Sequence, residues 1–277
     1  HGSHWPIVGS VGLFSLMIGA SSWLNEAAFG KYLFLVGVAI LVTMMAGWFG
    51  NVIAESESGA YNLQVDKSFR MGMSWFIFSE VMFFAAFFGA LFYVRNLSVP
   101  WLGGAGNNFF TNLLNWETFQ AAWPTNGPAN VGGDYETMSP WGLPAINTLI
   151  LLTSGATITV AHHAIKEGNR RLLNIFLFLT FALGFLFVGL QGYEYYHAYN
   201  DLNLTMASGV YGSTFFMITG FHGMHVTVGA IMLTVIWFRT MKGHFLPEHH
   251  FGFEAVAWYW HFVDVVWLLL FLFVYVL

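Results

Sequence analysis

The chain has 277 residues, of which 57% are hydrophobic, 19% aromatic and only 8% charged, with a formal net charge of −5. Soluble domains carry about 25% charged residues, so this composition describes an integral membrane protein. With no Cys in the chain, disulfides, thiolate metal sites and iron–sulfur clusters are excluded, and no basic patch points to nucleic acid.

No cleavable signal peptide is evident at the N-terminus, and a chain that starts at His1 is expected to have lost or processed its natural start. Seven apolar stretches come near or exceed the about 20 residues that one bilayer crossing needs. They run over residues 7–24, 32–54, 71–94, 141–165, 172–195, 209–238 and 254–277. The sixth is the longest and is expected to tilt or protrude. Lys67, Arg70, Lys166, Arg170, Arg171, Arg239 and Lys242 fall between the stretches on one side, and only Lys31 and Arg95 on the other. That bias predicts a cytoplasmic N-terminus and an outer C-terminus. The predicted outer loops are acidic instead, with Glu26, Glu117, Asp134, Glu136 and Asp201. The longest of them, about 96–140, is rich in Gly, Asn, Pro and Trp. It is predicted to be turns and irregular structure, and its exposure makes it a docking candidate.

Several side chains inside or beside the stretches invite a chemical reading. Glu80 lies ten residues beyond Arg70, about 15 Å along a helix, and so near mid-membrane. With no Lys or Arg within one turn, hydrocarbon burial favours the uncharged acid, bonded to Ser74, Ser79 or a His on another helix. It reads either as a neutral acid tied to one neighbour or as a slow proton-exchange site open to hydrophobic carbodiimides. His222 and His225 are three apart in Phe221-His-Gly-Met-His225 and share a helix face. A haem or copper would need further imidazoles at matched depth, but His162-His163 sits at the end of the fourth stretch. These His are therefore expected to bond between helices, with no metal-ligand set. Glu194-Tyr-Tyr-His197 fits the Glu-x-x-His pattern of di-iron bundles, which need a second copy and two further Glu.

Arg70, Arg239, Lys242 and His244 are expected at the inner headgroup level, where such residues bind anionic lipid heads; ordinary topology accounts for the same residues without a specific lipid. In the last stretch, Glu254 and His261 lie about 20° apart around a helix, with Asp264 about 60° further on. That stripe cannot face lipid, so it predicts either a hydrogen-bonded seam or a proton or ion path.

The stretches Ser79-Glu-Val-Met-Phe-Phe84, Ile146-Asn-Thr-Leu-Ile-Leu-Leu152, Ala161-His-His-Ala164 with Glu167-Gly168, Gly212-Ser-Thr-Phe-Phe216, Thr219-Gly-Phe-His-Gly-Met-His-Val226 and Phe251-Gly-Phe-Glu-Ala-Val-Ala-Trp-Tyr-Trp-His-Phe-Val-Asp-Val-Val-Trp267 carry a resemblance. The chain resembles cytochrome c oxidase subunit III of the haem-copper respiratory oxidases. The last stretch is the most specific; the first two spans match mainly by hydropathy, Gly47-Trp48 and Glu55.

The resemblance implies an all-α membrane fold of seven helices in two groups, the first two and the last five, splayed around a phospholipid-filled cleft. The corresponding division is 1–54, an inner linker 55–70, and a bundle 71–277. It implies bound phospholipid but no haem or copper in this chain. Those belong to partner subunits, chiefly the catalytic subunit I that this one flanks, with subunit II and others in the complex and cytochrome c an indirect partner. The implied role is to support proton uptake and to protect the oxidase during turnover. The family's carbodiimide-reactive Glu matches Glu80, and its lipid-headgroup cations match Arg70, Arg239 and Lys242. One departure is Gly59-Ala-Tyr-Asn62, where the family often has paired His; lipid contact on that side then falls to Arg70 alone.

Three alternatives stand beside this reading. One is subunit III of a quinol oxidase, disfavoured by the presence of the first two spans. Another is a stand-alone proton or ion transporter, whose usual repeats and broken helices are not evident. The third is a membrane cytochrome, which a Soret band would reveal. The inner membrane of a bacterium is expected rather than that of a mitochondrion, from the Gly/Asn-rich outer loop.

Overall fold

A computed structural model describes residues 2–277. Among the described residues the fold is all-helical, without a strand, and seven helices are long and apolar enough to cross a membrane. The elements are α1 (Trp5–Leu24), α2 (Gly30–Glu57), α3 (Leu63–Tyr93), α4 (Val99–Leu102), α5 (Phe109–Asn115), α6 (Leu143–Lys166), α7 (Arg170–Asn200), α8 (Gly209–Met241) and α9 (Phe251–Leu270). A π-helical stretch, Val94–Ser98, joins α3 to α4, and another, Phe271–Val276, extends α9. The seven predicted stretches are the cores of α1, α2, α3, α6, α7, α8 and α9.

The predicted irregular segment 96–140 is corrected in its first part, which is largely helical through Asn115. Two local causes are visible. Pro100 lies in the first turn of α4, where its missing N–H costs nothing. The Asn112 amide of α5 donates to the carbonyl oxygens of Leu102, Trp116 and Phe119 at 3.2, 2.8 and 3.2 Å, closing the segment on itself.

The chain forms two compact units, one ending at Ser68 and the other running from Phe69 to Leu277. In the first, α1 and α2 make a hairpin. A Cβ at Gly19 or Gly37 would strike the backbone of the facing helix. Lipid gives helices no hydrophobic drive to associate, so such close small-residue contacts supply it.

In the second unit, α9 is the hub. Trp260 is wholly buried and fills a slot made by two missing side chains. A Cβ at Gly184 of α7 would lie 2.6 Å from its ring, and one at Gly229 of α8 2.9 Å. Its indole N–H donates to Ser154 Oγ of α6 at 3.0 Å, so one residue touches three helices. Trp267 N–H donates to Thr148 of α6 at 2.9 Å. Between α7 and α8, Tyr195 and Thr219 hydroxyls bond at 2.6 Å, and Trp237 N–H donates to the Asn174 carbonyl at 3.1 Å. The part of α3 in this unit joins through rings: Phe83 meets Phe221 at 5.1 Å, and Phe69 stacks on Phe251 at 6.3 Å between centroids.

α6 and α8 each end on a glycine that reverses the chain. After α6, Gly168 adopts φ +71°, the Gly168 and Asn169 N–H groups return to the carbonyls of Ile165 and Ala164, and the Asn169 side chain at once caps α7 by accepting from Leu172 N–H. After α8, Gly243 at φ +78° gives the same glycine-terminated ending, with N–H bonds from Gly243 and His244 to Thr240 and Arg239.

A larger side chain in the Trp260 slot overpacks it, at about 1–3 kcal/mol, and emptying the slot costs about 3–5 kcal/mol. Gly184→Leu and Trp260→Ala are both expected to lower the melting temperature of the purified membrane protein, the second more. An unchanged Tm for Gly184→Leu would show that the slot has room.

Candidate functional site

Glu80 is not alone at mid-helix. Its Oε2 lies 2.8 Å from His225 Nε2, with side chains 20% and 9% exposed. The other ring nitrogen of His225 lies 2.6 Å from the Phe221 carbonyl. A carbonyl only accepts, so Nδ1 carries a proton. Two states then satisfy the 2.8 Å bond. Either Glu80 is the acid and donates to a neutral imidazole, or His225 is the cation and donates to a carboxylate. The pair holds one shared proton, walled by Phe83 and Phe84, whose rings lie 5.8 and 5.0 Å from the imidazole.

The neighbouring imidazole does something else. His222 is wholly buried, and its Nε2–H donates to the Val263 carbonyl of α9 at 3.2 Å with Phe187 and Trp267 against its ring. Tyr259 of α9 returns the favour by donating to the His225 carbonyl at 3.2 Å. His222 and His225 thus fasten α8 to α9 and α3 respectively.

Toward the start of α9 a denser cluster forms. Glu254 makes an ion pair through Oε2 with Arg70, whose guanidinium lies 5.1 Å from the centre of the Phe251 ring. Through Oε1, Glu254 faces His162 Nε2 at 3.4 Å and His250 Nε2 at 3.3 Å. The carboxylate also sits in the first turn of α9, where the helix dipole favours negative charge.

A family model described as cytochrome c oxidase subunit III matches residues 1–277. The chain belongs to the cytochrome c oxidase subunit III family. Proteins named cytochrome c oxidase subunit 3 align with nearly all of it. The one from Gadus morhua is 42% identical, over 99% of this chain and 94% of its own length. Those from Marchantia polymorpha and Squalus acanthias are each 41% identical over 99% of this chain, and over 93% and 94% of their own lengths. This subunit III is therefore an integral membrane component of an oxidoreductase complex.

Glu254, His261 and Asp264 all lie on the side of α9 that faces α6, Glu254 meeting His162 there. Asp264 is buried against α6 where Gly155 leaves room, as a Cβ there would strike its carboxylate. His261 is half exposed, 3.8 Å from Asp264 and 3.5 Å from Thr159. His163 is exposed rather than in the seam, one residue and hence about 100° around the helix from His162.

Arg70 meets Glu254 and Phe251, with its side chain still 37% exposed. Arg239 lies over the Phe245 ring at 4.4 Å, Lys242 is exposed at the α8 cap, and His244 is half-buried just beyond it. The Glu194 and His197 pattern is divided: Glu194 accepts from Tyr275 at 2.6 Å, and His197 pairs with Asp201. At the departure before α3, Tyr61 donates to the Glu55 carboxyl at 2.7 Å, and burial, reinforced by that bond, pushes its phenol up to about 12.

The residue that sequence reasoning missed is His250, and with it the grouping His162, His250 and Glu254. His250 lies just outside the last apolar stretch, next to His249 in a turn, and only the folded turn selects which of the two points inward.

Removing one partner of a buried polar pair strands the other, at about 1–3 kcal/mol, whereas replacing both is far milder. His225→Leu is expected to lower the thermal stability of the assembled complex more than the Glu80→Leu/His225→Leu double variant does. Additive losses in that comparison would show that the two side chains are not coupled.

Proposed function

We propose that this subunit III is a non-redox core subunit of a proton-pumping cytochrome c oxidase that flanks the catalytic subunit, supports its proton uptake and prolongs its working life. Haem and copper are assigned to the partner subunits and the electron donor to cytochrome c rather than quinol, in keeping with the presence of the first two helices. The observation that carries the reading is the Glu80–His225 pair. It keeps an exchangeable proton at mid-helix, on a helix whose neighbouring side chains Phe76, Phe78, Val81 and Met82 are exposed apolar surface. Such a face suits the flank of another membrane subunit or its lipid.

The proton pair has no electron chemistry of its own, so its loss belongs to proton supply. Glu80→Gln keeps size and hydrogen bonding but removes the titration. It is expected to leave assembly and the initial oxygen-reduction rate within about twofold, and to shorten activity over many turnovers or lower proton pumping. Abolition of the first turnovers in a fully assembled Glu80→Gln complex would place Glu80 on the catalytic proton route and overturn the reading.

Phospholipid is the second proposed ligand, held at the end of α8 by Arg239, Lys242 and His244. Each cation near a headgroup contributes about 1 kcal/mol. With Arg70 engaged by Glu254, the α8 end carries most of this contact. Arg239→Ala is expected to reduce the phospholipid retained by the purified complex in mass spectrometry, and Arg70→Ala to reduce it less. Equal retention in wild type, Arg239→Ala and Lys242→Ala would remove the site. The proposed orientation, N-terminus in the cytoplasm and C-terminus in the periplasm of a bacterium, rests on the Lys/Arg distribution and the outer-loop composition.

A further inference from the structure

The cluster at the head of α9 has a geometry that its ion pair with Arg70 does not explain. Three ligand atoms from two segments converge: His162 Nε2 near the end of α6, and, at the head of α9, His250 Nε2 at the N-cap and Glu254 Oε1 four residues on in the first turn. All lie within 4.8 Å of one another. We propose that His162, His250 and Glu254 form a binding site for a zinc-like divalent cation, with the two Nε2 atoms and Oε1 as ligands and the fourth position open to water.

Distance is the first support. Ligands about 2.0–2.1 Å from a tetrahedral zinc stand about 3.3 Å from one another. The two edges that meet at Oε1 measure 3.4 and 3.3 Å. Those edges are too long and too poorly aligned to be good hydrogen bonds, and both Nε2 atoms are buried without a hydrogen-bond partner.

The second support is the tautomer. His250 is 8% exposed, and its Nδ1 lies 3.1 Å from the Leu246 carbonyl. That carbonyl only accepts, so in the neutral ring the proton is on Nδ1 and the Nε2 lone pair points into the cluster. A backbone carbonyl on the remote nitrogen is the usual support of a metal-bound imidazole. The carbonyl is itself fixed: Leu246 and His249 exchange backbone hydrogen bonds at 3.3 and 3.1 Å, closing the turn that presents His250. Glu254 has comparable support, because Arg70 holds its second oxygen and leaves Oε1 to the site. The His250 lone pair and the Glu254 oxygen facing one point repel unless a cation, or a proton on His162, sits between them.

The donor set selects the ion. Two imidazoles and one carboxylate, with no thiolate, suit zinc; magnesium and calcium take oxygen ligands. Two His, one Glu and a water is an open zinc set, which fits a reversible site. An ion there ties the end of α6 to the start of α9. A proton on either imidazole competes for the same lone pair, and the test separates the two.

The assembled oxidase complex is stripped with chelator, equilibrated with micromolar free Zn²⁺ and desalted, and its zinc is counted by mass spectrometry. Wild type is expected to hold one zinc more than the His162→Gln and His250→Gln complexes, and His163→Gln, altered at the exposed neighbour, to match wild type. Loss of a ligand is expected to weaken zinc by more than the about 10–100-fold that loss of a supporting hydrogen bond costs. Equal zinc in wild type and both ligand variants overturns the proposal, as does protonation alone, seen as no zinc uptake by wild type. Should neither variant assemble, a cryo-electron microscopy map of the zinc-equilibrated wild-type complex decides: density between the three atoms supports the site, and its absence there overturns it.

Discussion

A polar group inside a bilayer has no water to turn to, and must be satisfied by protein. That constraint governs the unit from Phe69 to Leu277, because α9 carries Glu254, Tyr259, Trp260, His261, Asp264 and Trp267 within one apolar helix. The indoles are answered by Ser154 and Thr148 of α6, and Tyr259 by a carbonyl of α8. Glu254 is answered by Arg70 of α3, while Asp264 fits the space at Gly155 with His261 3.8 Å away and its Oδ1 without a hydrogen bond. Each answer fixes both the depth and the rotation of a partner helix, so the arrangement of the bundle follows from the needs of one helix.

The two carboxyls of the unit that matter most are stabilised in opposite ways. Glu254, near a helix end, keeps a guanidinium and the positive end of its own helix for company. Glu80, further in, has an imidazole that offers either a lone pair or a proton. The first arrangement stores charge at a boundary where water and headgroups help. The second tolerates a proton moving across one hydrogen bond with no change in the pair's net charge, which is what a low-dielectric surrounding permits.

The helices were legible because their apolar lengths are set by bilayer thickness rather than by packing. The face-sharing of His222 and His225 and the isolation of Glu80 from cations were also legible, since both are properties of one helix. What one helix cannot report is its neighbours' depth. Hence the pairing of Arg70 with Glu254, and the places of His162, Thr159 and Gly155 of α6 opposite Glu254, His261 and Asp264, could not be read from α3 or α9 alone. His250 was hidden for a related reason. Its role depends on a turn between Leu246 and His249, and a composition-based reading of membrane helices stops where the apolar stretch does. The helical start of segment 96–140 was hidden by its Gly, Asn and Pro, which punctuate short helices as readily as they mark loops.

The Trp260 slot has a consequence for how the bundle is made. Its walls come from α6, α7 and α8, all of which precede α9 in the chain and leave the ribosome before it. Until α9 is delivered, the space at Gly184 and Gly229 has no indole to fill it, and Ser154 has no indole N–H to accept. The three earlier helices can therefore gather but not lock. The indole acts as a wedge driven in at a late stage of synthesis, and a chain stalled before α9 lacks the one side chain that fills this slot.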